Sequence, residues 1–259
     1  MASDRAFLGT CMLIFAASAA VTIHACLSMP GMARMPMPGG WAMSMAWLPM
    51  CGQTWPGLAA SFMSMWTVMM VAMMLPSLIP MLTGYRRATG VARQARIDWL
   101  TSVVGAGYFS IWVVLGVAVF PVCAAMAVVQ TRLPTMAQAA PVAGGVVVMA
   151  AGALQFTAWK ARRLACCRFA PSNASPNRAL AAWRHGLQLG LACTQCCAGQ
   201  TAALLVLGVM DLRVMATVTA AITAERLAPA GYRVARGIGA IMVAVGVTLI
   251  MREAWLAVR

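Results

Sequence analysis

The stretch WTVMMVAMMLPSLIP, residues 66–80, holds four methionines, two prolines and no charged residue. It lies inside a longer apolar run, 57–84, and an apolar run beyond about 18 residues is a candidate membrane span. Met65, Met69 and Met73 recur at i, i+4 and i+8, which puts them on one helix face, with Met70 and Met74 flanking. Pro76 has no amide hydrogen and clashes with the preceding turn, so a kink is expected there. The kink frees backbone carbonyls, one of which Ser77 can bond. Methionine fills irregular gaps between helices, and it is also a soft thioether ligand for Cu(I). The stretch alone leaves both readings open.

Composition extends the membrane reading to the whole chain. Of 259 residues, 62% are hydrophobic and 9% charged, where a soluble domain carries about a quarter charged. So few charges cannot cover a water-facing surface, and a bilayer removes that need. The expected fold is all-α, a polytopic transmembrane helical bundle of six to seven spans in one membrane domain, 1–259. Candidate spans are 6–29, 57–84, 99–120, 142–159, 186–210, the short run 212–227, and 234–256.

The net charge of +14 comes from 19 basic and 5 acidic residues. The arginines cluster in short loops, without the interleaved aromatics of a nucleic-acid surface, so the positive-inside rule explains them better. Arg86, Arg87, Arg93 and Arg96 follow the second span, and Lys160, Arg162, Arg163, Arg168, Arg178 and Arg184 follow the fourth. The loops after the first and third spans hold only Arg34 and Arg132. This predicts an inner-membrane protein with a cytoplasmic N-terminus and, with seven spans, a periplasmic C-terminus. The first run also resembles a cleaved signal ending at Cys26, but Asp4 and the residues before Cys26 fit that pattern poorly.

Soft donors gather in three places. Met29, Met32, Met35, Met37, Met43, Met45 and Met50 crowd one predicted external loop. A proline- and glycine-rich loop gives thioethers little regular packing, and these ligands have no proton to lose. Weak Cu(I) capture is expected there, with His24 and Cys26 as added ligands at the same entrance. Of nine cysteines, Cys166 and Cys167 fall in a cytoplasmic loop, and Cys193, Cys196 and Cys197 form C-x-x-C-C early in the fifth span. Positions i, i+3 and i+4 put those three sulfurs on one helix face, a start for trigonal Cu(I) or tetrahedral Zn(II), with Cys167 as a fourth ligand. A reducing cytoplasm disfavours a structural disulfide. Asp211 and Glu225 are acids near the membrane, each beside an arginine (Arg213 and Arg226), and read equally as functional groups or local ion pairs.

Residues 66–80 fit W-x-V-M-x-x-A-M-M-x-P-S-x-x-P, which resembles the signature of the predicted metal-binding integral membrane proteins, domain of unknown function 2182. Residues 155–168 resemble its Q-x-x-x-x-K followed by a cysteine and C-R. Gly190, Cys193, Cys196 and Cys197 resemble its G-x-x-C-x-x-C-C. Gly208, Val209 and Met210, with Glu225 and Arg226, resemble its G-V-M and E-K segments. The likeness runs over about 55–229. It departs at Arg163, where the family has cysteine, at Ala198 in place of tryptophan, and at Arg226 in place of lysine. The resemblance implies metal binding.

Copper handling or transport is the leading expectation: methionines outside, the stripe of Met65, Met69 and Met73 within, and cysteines at the cytoplasmic side. Its partners would be the lipid bilayer and a metallochaperone or membrane metalloprotein. One alternative is a thiol–disulfide oxidoreductase using Cys193 and Cys196, with Cys26 and Cys51 as an external pair. Another is a non-catalytic assembly factor. No P-loop occurs, and two histidines with five acids leave little for general acid–base catalysis.

Overall fold

Local signals set where the helices start and stop. The Thr54 hydroxyl accepts the Gly57 amide at 3.3 Å and opens α2 (Trp55–Ala88), with Pro56 in the first turn, where a missing amide hydrogen costs nothing. Asp211 caps α7 (Leu212–Leu227), accepting from the Arg213 and Val214 amides at 2.8 and 3.4 Å. Asp211 thus bonds backbone amides at a helix start, a role beside the two readings open for it. Gly208, at φ +129°, ends α6 (Ala179–Gly208) in a conformation that glycine alone adopts cheaply. The other helices are α1 (Ala2–Ser28), α3 (Gln94–Arg132), α4 (Pro134–Leu154), α5 (Ala158–Arg168) and α8 (Gly231–Val258). A three-residue ribbon pairs β1 (Arg34–Pro36) with antiparallel β2 (Ala42–Ser44) between α1 and α2. The computed structural model describes residues 2–28, 34–36, 42–44, 47–49, 52–89, 93–168 and 178–258, with the backbone alone at 2–3, 166–168 and 256–258 and in the ribbon.

The fold is all-α apart from that ribbon. Six helices are long and apolar enough to cross a membrane: Asp4–Ser28, Trp55–Ala88, Gln94–Arg132, Pro134–Leu154, Ala179–Gly208 and Gly231–Trp255. The short run 212–227 is not among them. As α7 it has 16 residues, about 24 Å of helix against about 30 Å of hydrocarbon. It also buries Glu225 and Arg226. Pro76 and Pro80 both lie within an α2 that continues past them to Ala88. Ser77 donates to the Met74 carbonyl at 2.9 Å, which supplies one local backbone bond beside Pro76.

Glycines fix which helices touch. Gly107 of α3 lies on Gly186 of α6, and Gly190 on Tyr108 and Ile111, so the numbering rises together and the two helices are parallel. Gly152 and Gly145 of α4 meet Gly239 and Gly246 of α8, with numbering that runs oppositely, so this pair is antiparallel. Close backbone approach through small residues is how helices associate without a hydrophobic drive between them. Trp66 donates its indole N–H to the Trp112 carbonyl at 2.8 Å, and Gly116 leaves room for the ring, which locks α2 against α3. At one end of the bundle Arg86 pairs with Asp98 at 2.5 Å and covers the Phe7 ring of α1 at 4.4 Å, while Tyr85 stacks on His185. The end of α8 lies at the opposite end, past the contact of Ile250 with Gly145.

A methyl group at Gly186 would fall on the Val104 carbonyl. Gly186→Ala is therefore expected to cost about 1–3 kcal/mol, as overpacking does. At Gly105, on the same α3, an added methyl meets nothing, and Gly105→Ala is expected to be neutral or stabilising by up to about 1 kcal/mol. Thermal unfolding in detergent reads both.

Candidate metal centre

Three long helices converge on one level. Cys193 is fourteen residues into α6, Tyr108 is fourteen into α3, and Met74 is fourteen before the end of α2. Measured from the Arg86 end, Met74 lies twelve residues before Arg86, Tyr108 ten after Asp98 and Cys193 eight after His185, about 12–18 Å of helix. The cysteines were expected early in their span. They lie near the middle of α6 because the helix starts at Ala179, ahead of Arg184 and His185, before the apolar run begins. Facing them, the chain breaks twice. α4 stops at Leu154 and α5 resumes at Ala158; α7 stops at Leu227 and α8 starts at Gly231.

Cys193, Cys196 and Cys197 are all buried on one face of α6, as their spacing requires. The Cys197 thiol is hydrogen-bonded with both Cys193 and Cys196. Tyr108 Oη lies 2.8 Å from Cys193 Sγ, and the Met74 thioether accepts from the same thiol at 3.9 Å. Arg226 reaches Cys197 Sγ at 3.7 Å and Ser77 Oγ at 3.3 Å, tying α7 to α6 and α2. Lys160 Nζ bonds the Cys196 carbonyl and the Glu225 carboxylate, each at 2.7 Å, and Gln200 donates to the other Glu225 oxygen at 2.7 Å. Glu225, open to reading as a functional group or as a local partner of Arg226, makes an ion pair with Lys160, far away in sequence. A half-open cavity of about 240 Å³ lies behind Lys160, between the α4–α5 break and the start of α8, with Gln155, Leu164, Tyr232 and Arg236 among its walls.

Among the described residues no three His, Cys, Asp or Glu side chains already form a closed metal set. The thioether changes the donor count. Two sulfurs bound about 2.3 Å from one trigonal centre lie about 4.0 Å apart, and Met74 and Cys193 are separated by 3.9 Å. With Cys197 one turn on, two thiols and a thioether form a soft donor set of the kind that suits Cu(I). The thiols sit in an unbroken helix as free cysteines. Helical neighbours three or four apart hold their Cβ atoms about 5–6 Å apart, beyond the 3.5–4.5 Å a disulfide needs.

The other expected ligands divide. Met69 and Met73 are buried in the same core cluster as the cysteines, and Met65 is half-buried. The thioether that meets a thiol is Met74, beside the Met65, Met69 and Met73 stripe and not on it. His24 is exposed, and Cys26 is half-buried within reach of Asp211's charge, toward the far end of α1 from Phe7. Neither is brought to the Cys193 group. Cys166 and Cys167 close α5, with side chains outside the described residues. Cys167 follows Lys160 by seven residues, about 10 Å along the axis. The methionine loop, 29–50, and Cys51 fall largely or wholly outside the described residues, so its expected role has no geometry here.

Sequence reasoning missed Tyr108, Lys160 and Gln200, and left Met74 as a flanking residue. Lys160 carried a signal, as the one lysine among 19 basic residues. Tyr108 carried none.

Residues 63–249 match the family model PpoB2, described as copper chaperone. No curated protein and no solved structure matches the chain.

Proposed function

This chain belongs to the copper chaperone family whose model covers most of it, and from that premise we propose that it is a multi-pass membrane protein that holds Cu(I) between Cys193, Cys197 and Met74. We take this family to be the predicted metal-binding membrane family that its motifs resemble. The observation that carries the reading is the Met74–Cys193 sulfur separation of 3.9 Å inside a buried junction of α2, α3 and α6. Few roles other than soft-ion binding account for thioether, thiols and a guanidinium brought together there.

In this account the methionines of 29–50 collect Cu(I) on the periplasmic side, with His24 and Cys26 near the entrance. Met65, Met69 and Met73 line the approach along α2. Cys193 and Cys197 lose their protons and bind the ion, and a membrane metalloprotein or metallochaperone receives it. Cys166, Cys167 and Cys196 are reserve ligands on the delivery side, where the cavity behind Lys160 opens. The arginine-rich connections that lead into α3 and into α6 favour a cytoplasmic N-terminus in an inner membrane, with the end of α8 periplasmic. The whole of 1–259 forms one membrane domain around a family-like core of about 55–229. Zn(II) is the competing ion. The oxidoreductase alternative is weakened by the unbroken helix around Cys193 and Cys196.

Met74→Leu tests the donor set, because leucine keeps the volume and removes the sulfur. The expected result is about a tenfold weaker Cu(I) affinity, or about 1.4 kcal/mol, in anaerobic competition with a chromogenic Cu(I) chelator. Stability should change by less than about 1.5 kcal/mol. An unchanged affinity would exclude Met74 from the site.

A further inference from the structure

The buried charges around the thiols do not cancel. Among the described residues, Lys160, Glu225 and Arg226 are the charged side chains buried at this level, and together they sum to one positive charge. Arg226 reaches a sulfur, Cys197 Sγ at 3.7 Å, while Ser77 anchors the same guanidinium at 3.3 Å. Its electrostatic influence also extends to Cys193 and Tyr108. An arginine stays protonated in a protein, so this charge is permanent. Two thiolates with a neutral thioether contribute two negative charges. Adding a monovalent ion makes the sum zero: two negative charges, one from Arg226, one from the metal. Adding a divalent ion leaves the buried site at plus one, and an uncompensated charge in a low-dielectric interior is costly. A third thiolate at Cys196 would restore neutrality for the divalent ion, so the charge argument applies to the two-thiolate, one-thioether set.

We propose that Arg226 is the ion-selecting residue of this site, making Cu(I) the cargo that leaves the buried cluster neutral and Zn(II) the one that leaves it charged. The inference rests on the two-thiolate, one-thioether reading above. It assigns discrimination by charge to the protein, in addition to discrimination by ligand softness. Ser77 is then a positioning residue, holding the guanidinium against Cys197 through the turn that follows Pro76.

The test is the ratio of Cu(I) to Zn(II) affinity of the full-length protein in detergent, by anaerobic competition with a chelator for each ion. Arg226→Gln is expected to lower the ratio about a hundredfold, a conservative effect for one unit charge a few ångströms away. Arg226→Lys, which keeps the charge, should hold the ratio within about a factor of ten. Glu225→Gln adds a net positive charge and should raise the ratio. A folded Arg226→Gln with the wild-type ratio overturns the inference while leaving the metal site standing. If Arg226→Gln is not recovered folded, Glu225→Gln decides, and an unchanged or lower ratio overturns it. Wild-type protein that binds neither ion overturns the site itself, and the selectivity with it.

Discussion

Replacing Cys193 and Cys197 together with serine is expected to lower Cu(I) affinity by at least about a thousandfold. Changes to groups that merely support a ligand cost about 10–100-fold in metal affinity, and this variant removes two ligands outright. A serine hydroxyl is a hard donor that does not give up its proton near neutral pH, so it replaces neither the softness nor the charge of a thiolate. The fold should tolerate the change, since serine fits the space of cysteine and α6 packs against α3 through Gly186 and Gly190. Chelator competition reads the affinity, and circular dichroism with a thermal melt reads the fold. Loss of copper binding with a native melt separates ligand from scaffold. Retained affinity would move the site elsewhere, with Cys166 and Cys167 the next candidates.

Lys160→Met is expected to destabilise the protein by about 3–5 kcal/mol, because it breaks the buried ion pair with the Glu225 carboxylate. Lys160 Nζ lies 2.7 Å from Glu225 and also bonds the Cys196 carbonyl at 2.7 Å, so the same change frees a backbone acceptor beside the cysteines. The double change, Lys160→Met with Glu225→Met, should recover most of that loss, since apolar replacements of a buried pair are often neutral or stabilising. Unfolding in a denaturing detergent series across wild type, both single variants and the double gives the coupling energy. A single variant that costs less than about 1 kcal/mol would mean water or another group replaces the lysine.

Much of the fold was legible because hydropathy is a strong signal at this length. The six long helices overlap the apolar runs, although α3 and α6 extend well past them and α4 runs Pro134–Leu154 where 142–159 was expected. α7 was harder. Its run is short, and Glu225 and Arg226 stay buried because Lys160, Gln200, Cys197 and Ser77 meet them from other helices. Such long-range satisfaction cannot be seen in a hydropathy window. Spacing placed Cys193, Cys196 and Cys197 on one face correctly, because a helix face depends only on local geometry. It could not say which methionine would meet them. That depends on the rotation of α2 about its axis, set by Trp66 on Trp112 and Arg86 on Asp98, and the rotation brings Met74 round instead of the stripe beside it. Arg226 was legible as a charge but not as a neighbour of sulfur, for the same reason.

Binding of Cu(I) to buried sulfur at the α2–α3–α6 junction is what everything above depends on. X-ray absorption at the copper edge, on anaerobically loaded full-length protein in detergent, addresses it most directly. The expected result is about one copper per chain, in the monovalent state, with an all-sulfur shell at about 2.3 Å that disappears in the Cys193→Ser, Cys197→Ser variant. A nitrogen- or oxygen-dominated shell, or a sulfur shell that survives in that variant, would contradict it.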